Sequence, residues 1–158
     1  MNAKLLAPVL VSLLAAPALA DKAAPPAPMA KMVVTPAAKL VWTPLDPKQP
    51  KGLQTSLVHG DMQKGPVSFF LKLPAGAKSG LHAHSNDYYS VVVAGSPGHG
   101  ANEKEATTAL AVGSSWFQPA KEMHFDICNS KQDCILLLEY PSGGFDFIPG
   151  PAEPAKKK

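Results

Sequence analysis

Arginine is missing from this chain: all 15 positive charges among its 158 residues are lysine. That removes the planar, two-pronged clamp that usually grips a carboxylate or phosphate. Cysteine is scarce, with only Cys128 and Cys134. Beyond the N-terminus no apolar run approaches the 18 residues that a membrane span needs. No segment carries a convincing amphipathic helical pattern, and no repeat recurs at a fixed period of 20–50 residues. The net charge of +3 comes from the ends, where Lys4 and Lys156 to Lys158 lie. The remainder is near neutral, so the composition speaks against a nucleic-acid partner.

What is present divides the chain. Lys4 precedes an apolar stretch from Leu5 to Pro17, and Ala18-Leu19-Ala20 offers a small-x-small cleavage site before Asp21. Residues 1–20 therefore read as a secretory signal peptide, predicting a periplasmic or secreted protein with no membrane span after cleavage. A membrane anchor is the poorer reading, because the run is short and holds Pro8 and Pro17. Residues 21–37, rich in Pro, Ala and Lys, read as a disordered linker. Residues 38–149 form the folded domain, and 150–158 a disordered lysine-rich tail. The two cysteines agree with export. A lone pair six residues apart, in an oxidising compartment, is most simply a disulfide. Metal thiolates and a redox pair are the alternatives, but the spacing is not the Cys-x-x-Cys of redox motifs.

Short β-prone runs follow one another between Gly and Pro. Expected strands are Lys39 to Trp42, Leu53 to His59, Val67 to Leu73, Tyr88 to Ala94, Thr107 to Val112, Trp116–Phe117, Met123 to Cys128, Cys134 to Tyr140 and Phe145 to Ile148. Ser96 to Gly100 reads as a loop. This pattern predicts an all-β sandwich or barrel.

The chemistry concentrates in histidine. His82 and His84 stand two apart, and on an extended strand such residues share a face. His124 follows about 40 residues later. Three imidazoles with an open position suit a divalent transition metal, with Zn, Fe, Cu or Ni as candidates. His59 reads as solvent-facing or structurally bonded, and His99, between glycines, as an exposed loop residue. Glu122 is a candidate acid/base at the mouth of the barrel, its plainer role being a solvated charge. Trp116, Phe117, Phe69, Phe70, Phe125 and Met123 could line a pocket, though a small barrel needs most of them as core.

Spacing around the histidines carries a family resemblance. Gly76, five residues, His82-Ala83-His84, three residues, Tyr88, six residues and Gly95 form one motif. Gly113, five residues, Pro119-Ala120-Lys121, two residues, His124, three residues and Cys128 form a second. The pair resembles the two motifs of the cupin superfamily. Val58-His59-Gly60-Asp61, Leu73-Pro74-Ala75-Gly76 and Trp116-Phe117-Gln118-Pro119 look like small single-domain cupins similar to the zinc-binding cupin domain of bacterial anti-sigma factors. The resemblance implies an antiparallel jelly-roll β-barrel that holds one metal on His82, His84 and His124. It also implies a small-molecule ligand or substrate and a homodimer. Its activities include metal-dependent oxygenases and isomerases on one side and non-catalytic binding or sensing modules on the other.

The chain departs from that pattern three times. Tyr88 replaces the usual glutamate ligand, Lys121 a glycine, and Cys128 an asparagine. Without the glutamate, zinc, copper or nickel is favoured over manganese. Tyr88 is left to ligate, to donate a hydrogen bond or to pack. Asp87, on the opposite face unless a bulge turns it, is a fourth-ligand or supporting candidate.

Overall fold

The computed structural model describes residues 31–151. The expected signal peptide, residues 21–30 of the linker and residues 152–158 of the tail lie outside them. Every strand and helix among the described residues belongs to one unit, which begins at Thr35.

Alternation builds the larger sheet. In β3 (Val67–Leu73), β5 (Tyr88–Ala94) and β9 (Cys134–Tyr140), every second side chain is buried, as a half-covered sheet requires. β1 (Thr43–Pro44), β2 (Gln54–Gly60) and β7 (Ser115–Gln118) complete it. The six strands run β1-β2-β3-β9-β5-β7 and pair antiparallel throughout. Register sets apolar partners side by side on the inner face: Phe69 opposite Leu138, Leu71 opposite Leu136, and Val92 opposite Leu136. Each such side chain contributes about 1.5–3 kcal/mol by leaving water.

The facing layer is smaller. β10 (Ile148–Pro149) pairs with β4 (His82–Ala83), and β6 (Pro97–Gly100) pairs with β8 (Phe125–Cys128). The two ribbons are joined by a reciprocal backbone bridge between His82 and His124, at 3.0 and 2.8 Å. The result is the all-β architecture that the strand pattern predicts, in the jelly-roll form that the resemblance implies. One short helix, α1 (Glu103–Ala106), covers the outside of β6 and β8. Asn102 caps it by accepting from the Glu105 N–H.

Four local expectations are corrected. Lys39 to Trp42 is not a strand: a 3-10 turn at Ala37–Lys39 precedes extended chain, and pairing starts at Thr43. Thr107 to Val112 is not a strand either, but the exposed exit from α1, where Leu110 alone is half-covered. The last strand begins at Ile148, not Phe145. Ser96 to Gly100 is no loop, because Pro97–Gly100 is β6. Its glycines answer a packing need. A Cβ at Gly98 would sit 1.9 Å from the Ala106 carbonyl, and one at Gly100 2.5 Å from the Glu105 Cβ. Cys128 and Cys134 form a disulfide with a Cα–Cα distance of 5.6 Å, tying β8 to β9 across the two layers.

Candidate metal centre

His82 begins β4 and His84 directly follows its end, so that extended backbone puts both on one face, and His124 stands just before β8. All three are at most 3% exposed. Their ring centroids lie 4.2 to 5.2 Å apart. The nitrogens they can offer to one ion lie within 4.8 Å of one another.

Hydrogen bonds settle which nitrogen faces inward. His82 Nδ1–H donates to the Gly80 carbonyl at 3.0 Å, and His124 Nδ1–H to the Glu122 carbonyl at 3.1 Å. His84 Nδ1–H donates to the Asp146 carbonyl. A carbonyl only accepts, so each Nδ1 carries the ring proton, and Nε2 is left with a bare lone pair. Three backbone carbonyls thus fix three tautomers and three ring orientations, the arrangement that supports metal-bound imidazole. Burial lowers the pKa of all three rings, outweighing the attraction of Asp126 for His82 and His124 and the Asp146 hydrogen bond for His84. His124 is lowered to about 4. The rings are neutral at pH 7, the form that binds metal.

The segment that supplies the Asp146 carbonyl also closes the site. Asp146 accepts from the Ser85 N–H and the Ser85 hydroxyl, pinning 145–149 beside β4. Phe147 stacks on His82, with centroids 4.5 Å apart and planes at 15°. Behind it lies a cavity bounded by His82, His84, Tyr88, Asp126, Leu71, Leu136, Leu138 and Phe145. It offers about 30 Å³ to the centres of water-sized molecules. That is room for an ion with one or two waters, since one water needs roughly 10–15 Å³ by that measure.

Tyr88 faces the same space. It is 2% exposed, and its hydroxyl donates to His124 Nε2 at 3.3 Å. Burial raises its pKa well above the ordinary value, so it stands there as a neutral phenol. Asp87 points elsewhere: it is exposed, and its carboxylate accepts the Ala120 N–H at 2.6 Å. Glu122 is exposed as well, and lines an outer depression of about 290 Å³ beside His99, Gln118 and His124. Of the aromatics, Phe69 is core, Trp116 is half-buried and Phe117 is exposed. His59 is solvent-facing.

Sequence reasoning missed two residues at the centre. His99 is not exposed: its side chain is 13% accessible and stacks on Trp116, with centroids 4.6 Å apart. Asp126 is buried beside it, with Nδ1 of His99 at 2.8 Å from Asp126 Oδ1. The other carboxylate oxygen of Asp126 lies 3.5 Å from His82 Nε2 and 3.7 Å from His124 Nε2. A readable signal existed, because Asp126 follows His124 by two residues and so shares its face, by the rule that pairs His82 with His84.

The donor chemistry fits a cation. Lone pairs from three neutral imidazoles meet beside a carboxylate, and a positive ion relieves their mutual repulsion.

The family model of a domain of unknown function (DUF4437) matches residues 12–146. The chain belongs to this family. Among solved structures, the DUF4437 chain is similar to an RmlC-like cupin protein from Ralstonia eutropha. The identity is 18% and the TM-score 0.56, covering 74% of this chain and 72% of the other. It is similar to an acetylacetone dioxygenase from Acinetobacter johnsonii at 15% identity and a TM-score of 0.54, covering 77% and 80%. It also resembles a chain of the Rhodobacter sphaeroides complex of SigE with the anti-sigma ChrR. There the identity is 15% and the TM-score 0.51, with 66% of this chain and 50% of that one covered. At these identities the likeness establishes the fold, which is that of the cupins. No curated protein matches.

Proposed function

We propose that this protein is an exported metal-binding cupin in which His82, His84 and His124 hold one divalent transition ion, zinc foremost, and present it to a small molecule. One observation carries the reading: three buried rings each give their Nδ1 proton to a backbone carbonyl and turn an unprotonated Nε2 inward. Such an ion supplies Lewis acidity, polarising a carbonyl or phenolic oxygen. The chain's residues do the rest. Tyr88 directs a hydroxyl into the site from the β5 side, and Phe145 and Phe147 shield it from water. A dioxygenase among the structural neighbours makes a metal-dependent oxygenase or isomerase the enzymatic form of this reading.

One observation favours a second reading, a binding or sensing module without turnover. The space beside the histidines is about 30 Å³, far below the 300–1,000 Å³ of pockets that enclose drug-sized ligands. The disulfide agrees with an oxidising compartment.

Metal analysis and turnover assays of the protein purified from its native compartment separate the two. One equivalent of a redox-active metal, with oxygen uptake on a β-dicarbonyl or phenolic compound, supports the oxygenase. One equivalent of zinc with no turnover supports the module. No metal in wild type, matching His82→Ala and His124→Ala, contradicts both.

A further inference from the structure

We infer that Asp126 is the fourth protein ligand of this centre, supplying from β8 the carboxylate oxygen that the motif's glutamate would supply from β5, where this chain has Tyr88, and that His99 and Gln118 hold it in place. The inference rests on the three-histidine reading and adds to it a residue that neither sequence motif specifies.

Its two carboxylate oxygens have different neighbours. Oδ1 accepts from His99 Nδ1 at 2.8 Å. The other ring nitrogen of His99 donates to Gln118 Oε1 at 2.9 Å. The Gln118 amide cannot be turned round, because its Nε2 donates to the Pro119 and Glu122 carbonyls at 3.3 and 3.0 Å. Both nitrogens of His99 are therefore engaged as donors. His99, His124 and Asp126 lie close enough to suggest a separate metal group, but His99 has no lone pair to offer one. Its role is to grip Oδ1, and stacking on Trp116 fixes its ring plane.

Oδ2 is left facing His82 Nε2 at 3.5 Å and His124 Nε2 at 3.7 Å. Neither nitrogen can donate to it, since both rings carry their proton on Nδ1. A carboxylate oxygen confronting two lone pairs is repulsive unless a cation lies among them. Two atoms that each bind one ion at about 2.0–2.1 Å are at most about 4.2 Å apart, and the separations from His82 and His124 fall inside that span, whereas the group within 4.8 Å that holds Asp126 contains His124 but not His84, so Asp126 must close on His84 when the ion binds. Among the described residues, no other group donates a hydrogen bond to Oδ2. A hard oxygen beside three imidazoles would also return to this site part of the manganese and iron affinity that the loss of glutamate removes.

The test uses the full chain and zinc or cobalt alone. Asp126→Asn keeps the side-chain shape and removes the charged ligand. Zinc affinity, by chelator competition, is expected to fall at least about tenfold, and the visible cobalt spectrum to change in band position and intensity. His99→Gln, which loosens a positioning residue, is expected to weaken zinc a few-fold and shift the cobalt bands in the same direction. Unchanged affinity and an unchanged cobalt spectrum in Asp126→Asn overturn the inference while leaving the three-histidine centre standing. Wild type that binds no metal overturns both. If Asp126→Asn does not fold, wild type alone decides. Zinc addition should shift a carboxylate stretch in the infrared difference spectrum, and no such shift rejects the assignment.

Discussion

Two parts of the barrel interior, an apolar end and a polar end that meet at the cavity beside His82 and His84, are equally dry and oppositely built. At the apolar end, Phe69, Leu71, Leu136, Leu138 and Val92 fill the space between β3, β9 and β5, and Leu71, Leu136 and Leu138 also bound that cavity. At the polar end, His82, His84, His124, Asp126 and Gln118 are buried. The first end stabilises the fold through area removed from water. The second costs desolvation, offset only in part by carbonyls that take up the Nδ1 protons. Tyr88 donates to the Nε2 lone pair of His124, and those of His82 and His84, which remain bare, have no structural use. The contrast locates function: one end explains why the chain folds, and the other is tolerated only because the first is well packed.

The largest effect expected from breaking this contrast is at the apolar end. Phe69→Ala opens a cavity in the core beside β9 without removing a wall of the cavity at the histidines, and should cost about 3–5 kcal/mol in denaturant unfolding, with zinc affinity changed by less than a few-fold. An equal loss of zinc affinity would mean that the two ends are not separable.

Acid should act on the polar end alone. In the metal-free protein His82, His84 and His124 take up protons less readily than they do unfolded, where the pKa is near 6.5. Their contribution to stability is therefore complete above pH 6.5. It is lost as pH falls from there toward about 4, where folded His124 titrates. Urea unfolding with a chelator present should show that decline. It should be much shallower in the His82→Ala/His124→Ala double variant.

A smaller effect lies on the rim between the ends. Lys121 has φ of 64° while its N–H donates to the His84 carbonyl. That left-handed conformation explains why the cupin motif prefers glycine there. Lys121→Gly should raise stability by up to about 1 kcal/mol, read as a higher unfolding midpoint, and leave zinc affinity as it is.

The two ends also differed in legibility. Val67–Leu73, Tyr88–Ala94 and Cys134–Tyr140 are strands over the residues that the β-prone runs mark out, because β-branched and aromatic side chains fit a pleated, half-buried surface. His82 and His84 were readable from the strand's period of two, and His124 from motif spacing. His99 was not. Gly98 and Gly100, which read as loop punctuation, are there because α1 crosses too close for a Cβ. Asp126 was readable by the period of two from His124, but its position opposite His99 in the β6–β8 register was not, because pairing between distant strands is not written in local sequence. Thr107 to Val112 misled because β-branched residues lie on an exposed turn, where nothing packs against them.

The most direct measurement is a zinc titration of the full-length chain, repeated on His82→Ala, His84→Ala and His124→Ala. One equivalent bound by the wild type, with affinity reduced by roughly 100-fold or more in each variant, is the predicted result. Wild type that takes up no zinc, or any of the three variants binding it as tightly as wild type, would contradict the convergence of these rings on a single ion.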